Sequence, residues 1–222
     1  TSVNVSGGVI LKPFPRFQIT ADYFNIQIDD RITLSGDLGE PGSPGAETIR
    51  PILQGTGAAT ASFFTNSIDT ETQGIDVTSK FAALLADGVQ LQMRGSFNWT
   101  DTEITGGPRN PTRLEEDFGT VILPPDDRRA IEEGALPTTT TKLSASLTVG
   151  DLDINLRGAR YGDILAADDD AFDEYTLGSE YTFGGEIGYN FFNDQAKIAV
   201  GARNLFDNYP DLDPQQRFPD GS

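Results

Sequence analysis

Between residues 89 and 100, VQLQMRGSFNWT, apolar and polar positions alternate without interruption. Val89, Leu91, Met93, Gly95, Phe97 and Trp99 fall on one side, and Gln90, Gln92, Arg94, Ser96, Asn98 and Thr100 on the other. A period of two belongs to a strand and not to a helix. The same pattern returns several times, with the strands joined alternately by a very short turn and a long polar loop. That rhythm predicts an all-β fold of antiparallel up-and-down strands with short turns on one edge and long loops on the other, the way a transmembrane β-barrel is encoded.

Four hairpins can be read off. Val3, Val5, Gly7, Val9 and Leu11 alternate with polar neighbours, and PFPR at 13 to 16 turns the chain into Phe17, Ile19, Ala21 and Tyr23. There the apolar phase flips to Phe24, Ile26 and Ile28, which predicts either a bulge or a strand leaving its apolar surroundings. A Gly/Pro-rich stretch, GDLGEPGSPG, opens a long loop over 36–61. The second hairpin pairs a strand at about 72–84 with the one from 89 to 102, and a Pro-rich, charged loop follows over 103–139. The third joins Leu143–Val149 to Leu152–Arg157 through Gly150-Asp151. After an acidic loop at 163–178, the fourth joins Tyr181–Phe191 to Ala196–Arg203 through Asn193-Asp194-Gln195. About eight strands result.

Composition narrows the function. No run approaches the ~18 consecutive apolar residues of a membrane-spanning helix, so any crossing must be made by strands. A formal charge of -18 and a pI near 4.1 exclude nucleic acid as a partner, because phosphate binding needs clustered Lys and Arg. With no Cys and no His, thiolate and imidazole metal sites, disulfides and the commonest general base are missing. No nucleophile has a base beside it and no carboxylate pair can be set at a catalytic separation, so the chain is read as non-enzymatic with no cofactor. TSVNVSGGVI carries neither a basic start nor an apolar stretch with a cleavage site. The expectation is therefore either an intracellular protein or one whose start has been removed.

A soluble antiparallel barrel or sandwich also has one apolar face per strand. Two features favour the membrane. Phe17, Tyr23, Phe97, Trp99, Tyr181, Tyr189 and Phe191 lie toward strand ends, where aromatic girdles meet headgroups. The opposite face mixes Gln, Arg, Asn, Asp, Lys, Glu, Ser, Thr and Gly, which suits a hydrated lumen.

Three stretches carry a family resemblance: FQITADYFNIQIDDRITLSG at 17–36, NSIDTETQGIDVTSKF at 66–81 and VGARNLFDNYPDLDP at 200–214. In this order they resemble the C-terminal half of the barrel of TonB-dependent outer-membrane receptors, and Asn204, Leu205, Phe206 and Asp207 are the most specific part. The resemblance implies a barrel of about 22 strands closed by a plug, set in outer-membrane lipid of a Gram-negative bacterium. It also implies a TonB energy-coupling complex as partner and a small nutrient ligand, such as a ferric siderophore or cobalamin. Residues 1–222 contain no plug or coupling box and too few strands, and they stop at FPDGS before a closing strand. The chain is accordingly read as a partial C-terminal barrel domain whose transport function belongs to the parent protein. A passive porin-like channel and a soluble or surface β-domain binding carbohydrate or protein remain the alternatives, with a carboxylate hydrolase further behind.

Candidate sites are few. Asp168, Asp169, Asp170, Asp173 and Glu174 form an acidic run able to hold a hard cation such as Ca²⁺, but they lack the spacing of a dedicated calcium loop, so a solvated loop is the preferred reading. Asp126, Asp127, Arg128, Arg129, Glu132 and Glu133 read as ion pairs within their loop. Arg94, Arg157, Glu186 and Arg203, with Asp76, Lys80, Asp153 and Lys197, are placed on the lumen side. Cross-strand ion pairing is expected for most of them, and contact with a plug or a ligand for the rest. Asn204 to Asp207 shows no evident chemistry, and strand termination is expected there at least as much as binding.

Overall fold

The computed structural model describes residues 1–35, 37–39, 41, 46–109, 137–166, 175–193 and 195–209. Eight strands form one antiparallel sheet in sequence order: β1 (Ser2–Leu11), β2 (Phe17–Leu34), β3 (Phe64–Ala86), β4 (Val89–Gly106), β5 (Thr139–Val149), β6 (Leu152–Tyr161), β9 (Glu180–Phe191) and β10 (Ala196–Ala202). A small hairpin, β7 (Ile164–Ala166) with β8 (Tyr175–Leu177), stands in the connection between β6 and β9. The four short turns lie on one edge, and the strand ends that lead into the long connections lie on the other, as the alternation predicts.

Register carries each face from strand to strand without a break. On one face Leu91, Leu147, Ile154, Ile187 and Val200 are successive partners, as are Met93, Ala145, Leu156, Gly185 and Ala202. These apolar side chains are not covered: Leu156 and Ile187 are each 57% exposed and Val200 77%. No second layer packs on the sheet among the described residues. Met93 and Phe97, which a soluble sandwich would bury against protein, are 47% and 40% exposed. Water would penalise such a face by about 25 cal/mol for each Å² of apolar surface, whereas lipid tails would not.

The apolar belt has clear limits. On β4 it runs from Val89 to Trp99, close to the 9–11 residues a tilted strand needs to cross a bilayer. Above Tyr23, Ile75 and Trp99 the same face turns to Asn25, Gln73 and Asp101, then to Gln27, Glu71 and Glu103. The strands nonetheless continue. β3 has 23 residues and begins at Phe64, eight residues before the strand that alternation predicts from about Thr72. Paired polar side chains hold it as strand: Asn25 donates to Glu71 at 2.5 Å, and the hydroxyls of Thr72 and Thr102 lie 2.9 Å apart.

The phase flip at Phe24 is not a bulge. β2 and β3 stay in register through Phe24 and Gly74, and the irregularity falls between Ile28 and Ile32, where Asp30 adopts φ 56°. Phe24 lies on the polar face because its ring sits over Gly74. The long connection after β2 also contains a helix that alternation does not reveal, α1 (Ala46–Leu53), with Ile49 and Leu53 against Gly39. Leu38, Ala46, Ile49 and Ile68 are the buried apolar residues among those described. The protein-packed core therefore sits in this cap, outside the membrane-spanning belt.

Candidate functional site

The polar face is zoned by charge. One register row runs Gln18, Lys80, Arg94, Ser144, Arg157 and Gly184 across β2 to β6 and β9. Arg203 follows Ala202, whose partner is Gly185, and so takes the next place in that row. Lys142 stands one row higher, between Ser96 and Ala159. These side chains border an open cavity of about 610 Å³ whose lining includes Lys80, Arg94, Lys142, Arg157 and Arg203 and no Asp or Glu. Among the described residues, none of the five makes an ion pair or a side-chain hydrogen bond. In a chain of net charge -18 this concentration of cations is the main chemical feature of the face.

Among the described residues the anticipated cross-strand pairing occurs once on this face. Lys197 Nζ lies 2.8 Å from Asp153 Oδ2, and Asp153 also accepts from Thr148 at 2.9 Å and Asn190 at 3.2 Å. Asp76 faces Asp22 instead of a cation, and the Asn98 amide donates to it at 2.8 Å. Glu186 stands between Asn155 and Gly201 with no ion pair among the described residues.

Asn204 to Asp207 forms a turn that ends β10. Asn204 and Asp207 adopt φ 49° and 55°, in the left-handed region that Asn and Asp tolerate best among non-glycine residues. Asn204 donates to the Asn208 carbonyl at 2.7 Å and accepts from its backbone N–H at 3.2 Å. Leu205 N–H makes a last ladder bond to Phe183 O at 2.8 Å, and Phe206 packs edge-on against Phe183 with ring centroids 5.6 Å apart. Two of the family-motif side chains thus act on backbone and packing, while Asn204 also borders the cationic cavity.

A second organised site lies beyond the apolar belt. Arg109 Nη1 contacts Asp69 Oδ1 at 2.9 Å and Asp30 Oδ1 at 3.1 Å, while Nη2 also bonds Asp69. Asp30 N–H donates to Asp69 at 2.8 Å, and Arg109 N–H to Ser67 O at 2.7 Å. The clasp ties the segment after β4 across β3 to β2. The hydrogen bond from Arg109, and then that from Asp30 N–H, hold the Asp69 carboxyl below the usual carboxylate range, and Arg109 is raised in turn by Asp69. A lowered folded-state value means that this stabilisation is present above the ordinary Asp range and is lost as pH falls through the folded value. Hydrogen exchange of the Asp30 and Arg109 amides in the full-length parent, corrected for intrinsic rates, is expected to hold steady from about pH 8 to pH 5. Protection should then fall in more acid solution, below the ordinary Asp value of about 3.9. Asp69→Asn should lower protection at neutral pH and remove this acid step; an unchanged step would assign it to another group.

Alternation alone does not reveal Arg109 or Arg160 as anchors. Arg160 occupies an apolar-face position at the upper aromatic row. It donates to Tyr181 Oη and Thr139 Oγ1 at 3.2 Å and to Ser179 Oγ at 2.8 Å, with its guanidinium 5.9 Å from the Tyr181 ring centroid. The signal for it was a cation closing an apolar stripe opposite a Tyr, the arrangement of an interfacial anchor. The acidic candidates Asp168, Asp169, Asp170, Asp173 and Glu174, and the cluster Asp126 to Glu133, lie outside the described residues. Among the described residues no group of three or more acidic side chains is arranged to hold a metal ion.

The profile of a family described as TonB dependent receptor-like, beta-barrel, matches residues 1–205. No curated protein matches the chain by sequence. Among solved structures, the outer membrane transporter YddB from Escherichia coli is similar over 94% of this chain and 29% of its own, with TM-score 0.60 and 13% identity. The pyoverdine receptor FpvA from Pseudomonas aeruginosa PAO1, bound to pyoverdine, gives 94% and 26%, TM-score 0.57 and 13% identity. The siderophore receptor PirA from Acinetobacter baumannii gives 93% and 27%, TM-score 0.57 and 18% identity. At these identities the likeness is one of fold, and the chain spans less than a third of each neighbour's length.

Proposed function

The chain belongs to the TonB-dependent receptor-like β-barrel family, and from that premise we propose that it is part of the wall of a Gram-negative outer-membrane receptor. The parent protein binds a scarce nutrient, such as a ferric siderophore or cobalamin, and imports it with TonB-supplied energy as a plug rearranges in the lumen. The observation that carries this reading is the continuous exposed apolar belt on one face of eight strands, backed by a polar and charged face on the other. FpvA, bound to pyoverdine, and PirA, a siderophore receptor, support a siderophore as the cargo class. The strand ends that lead into 36–61, 103–139 and 163–178 share one edge of the sheet, and it is to these connections that ligand specificity is assigned. Arg109 does not serve as a spare cation for an anionic cargo, because Asp69 and Asp30 already hold it.

The test places single Cys probes at Leu91 and Gln92 of the full-length parent in membranes. A small water-soluble thiol reagent is expected to label Gln92→Cys and spare Leu91→Cys, with nutrient uptake abolished by an uncoupler of the inner membrane. Labelling of both positions would return the chain to a soluble or surface β-domain. The expected labelling with uptake indifferent to the uncoupler would leave a passive porin-like channel.

A further inference from the structure

We propose that the cavity bordered by Lys80, Arg94, Lys142, Arg157 and Arg203 is an anion site for a ligand carrying two or more carboxylate or phosphate groups. The proposal deepens the receptor reading, on which it rests in taking the polar face to line a hydrated lumen.

Like charge is the first argument. Lys80 and Arg94 are direct cross-strand partners, an arrangement that destabilises a sheet unless a counter-charge is supplied. Arg157 and Arg203 add to the same row, and no carboxylate lines the cavity to offset them. Glu186 stands one row away on β9 but forms no ion pair with them among the described residues, which leaves the counter-charge to an anion from outside these strands.

Geometry sets its form. With strands ~4.8 Å apart, Arg94 and Arg157 are separated by two strand spacings, about 10 Å, and so are Arg157 and Arg203. The positions between them are held by Ser144 and Gly184, which are too small to fill the gap. A Cβ at Gly184 would lie 3.3 Å from Arg157 Cγ and 3.5 Å from Cδ, so the Arg157 stem rests across that glycine toward Arg203. Ser144 leaves a slot between Arg94 and Arg157, while the Arg157 stem over Gly184 carries its charge toward Arg203; guanidinium groups match carboxylate or phosphate oxygens in pairs. A monoanion meets one end of this row, whereas an oligoanion spans from Arg94 to the end shared by Arg157 and Arg203.

Tripolyphosphate titrated calorimetrically into the full-length receptor in detergent, at constant ionic strength, tests the site. Saturable binding is expected, weakened at least tenfold by Arg157→Gln with Arg203→Gln. An intermediate loss is expected for Arg157→Lys with Arg203→Lys, which keeps the charge and removes the forks, and no change for Arg50→Gln on the exposed face of α1. That result assigns the row to a free oligoanion. If the wild type takes up no tripolyphosphate, but the double Gln variant melts at lower temperature and loses the salt dependence of its melting, the occupants are carboxylates of another part of the receptor. Binding that survives the double Gln change overturns the proposal. So does an absence of binding together with melting unchanged or raised in that variant. The receptor reading is decided separately, by thiol labelling and energised uptake.

Discussion

Leu156→Arg is expected to destabilise the assembled full-length barrel by about 2–4 kcal/mol, the cost of a cation near the bilayer midplane. Leu156 faces Gly185, midway along β9 between Tyr181 and Tyr189, and its neighbours on the same face are Ala145, Ile154 and Ile187. An Arg there cannot reach either headgroup region without bending its stem across the apolar belt. Gln92→Arg adds the same charge to the polar face and should change stability by no more than about 0.5 kcal/mol. Urea titration of both variants folded into vesicles provides the comparison. Equal stabilities would mean that the belt faces something other than hydrocarbon.

Gly74→Val is expected to cost about 1–3 kcal/mol through overpacking, and more if β3 cannot shift. A Cβ at this position would meet the Phe24 ring and stand 2.5 Å from the Trp99 carbonyl oxygen. One of these neighbours is a ring that can rotate, and the other is backbone in the β3–β4 ladder. Because Phe24 can swing away, the double variant Phe24→Ala with Gly74→Val should recover only the part of the loss due to the ring, leaving the clash with Trp99. Full recovery would show that the backbone yields freely there. Melting temperatures of the two variants and of Phe24→Ala alone complete the cycle.

Both predictions rest on facts of unequal visibility in the sequence. Leu156 is marked by its place in Leu152, Ile154, Leu156, and strand number, order and facing all follow from such alternation, because a one-residue slip would turn every side chain over. The upper parts of β3 and β4 escaped the same reasoning. Glu71 and Gln73 alternate with Thr70 and Thr72, and Asp101 stands between Thr100 and Thr102, so period two is present but carries no contrast, whereas on β2 the contrast survives in Phe24, Ile26 and Ile28 with its phase reversed. The helix at Ala46–Leu53 is short and carries Pro51 in its last turn, and its burial depends on Gly39 and on the ladder beneath it.

The cationic cavity shows the limit most plainly. Arg94, Arg157 and Arg203 could each be placed on the polar side from local pattern alone. That Lys80 faces Arg94, and that Ser144 and Gly184 stand between the arginines, depends on register across strands separated by long connections. Local pattern fixes a side chain's face and not its height relative to the next strand. Ion pairing was therefore the natural expectation, and like-charge alignment is the outcome. The motif at Asn204 to Asp207 was legible as a motif, but its work on the Asn208 backbone and the Phe183 ring depends on φ values that residue type permits without compelling.

The 23-residue span of β3 also decides how the cap meets the outside world. From Ile75 to Phe64 the paired ladder advances about 3.3 Å per residue, or nearly 30 Å above the bilayer edge after a barrel tilt of about 40°. A flexible tether of the same residues would span only about 5–6 Å times the square root of their number, roughly 18 Å, and would point in every direction. Reach that grows in proportion to length, with a fixed bearing, makes the upper sheet a mast instead of a leash. In a receptor set in the membrane as proposed, anything large approaching from the side of the long connections would encounter the α1 cap before it encountered lipid.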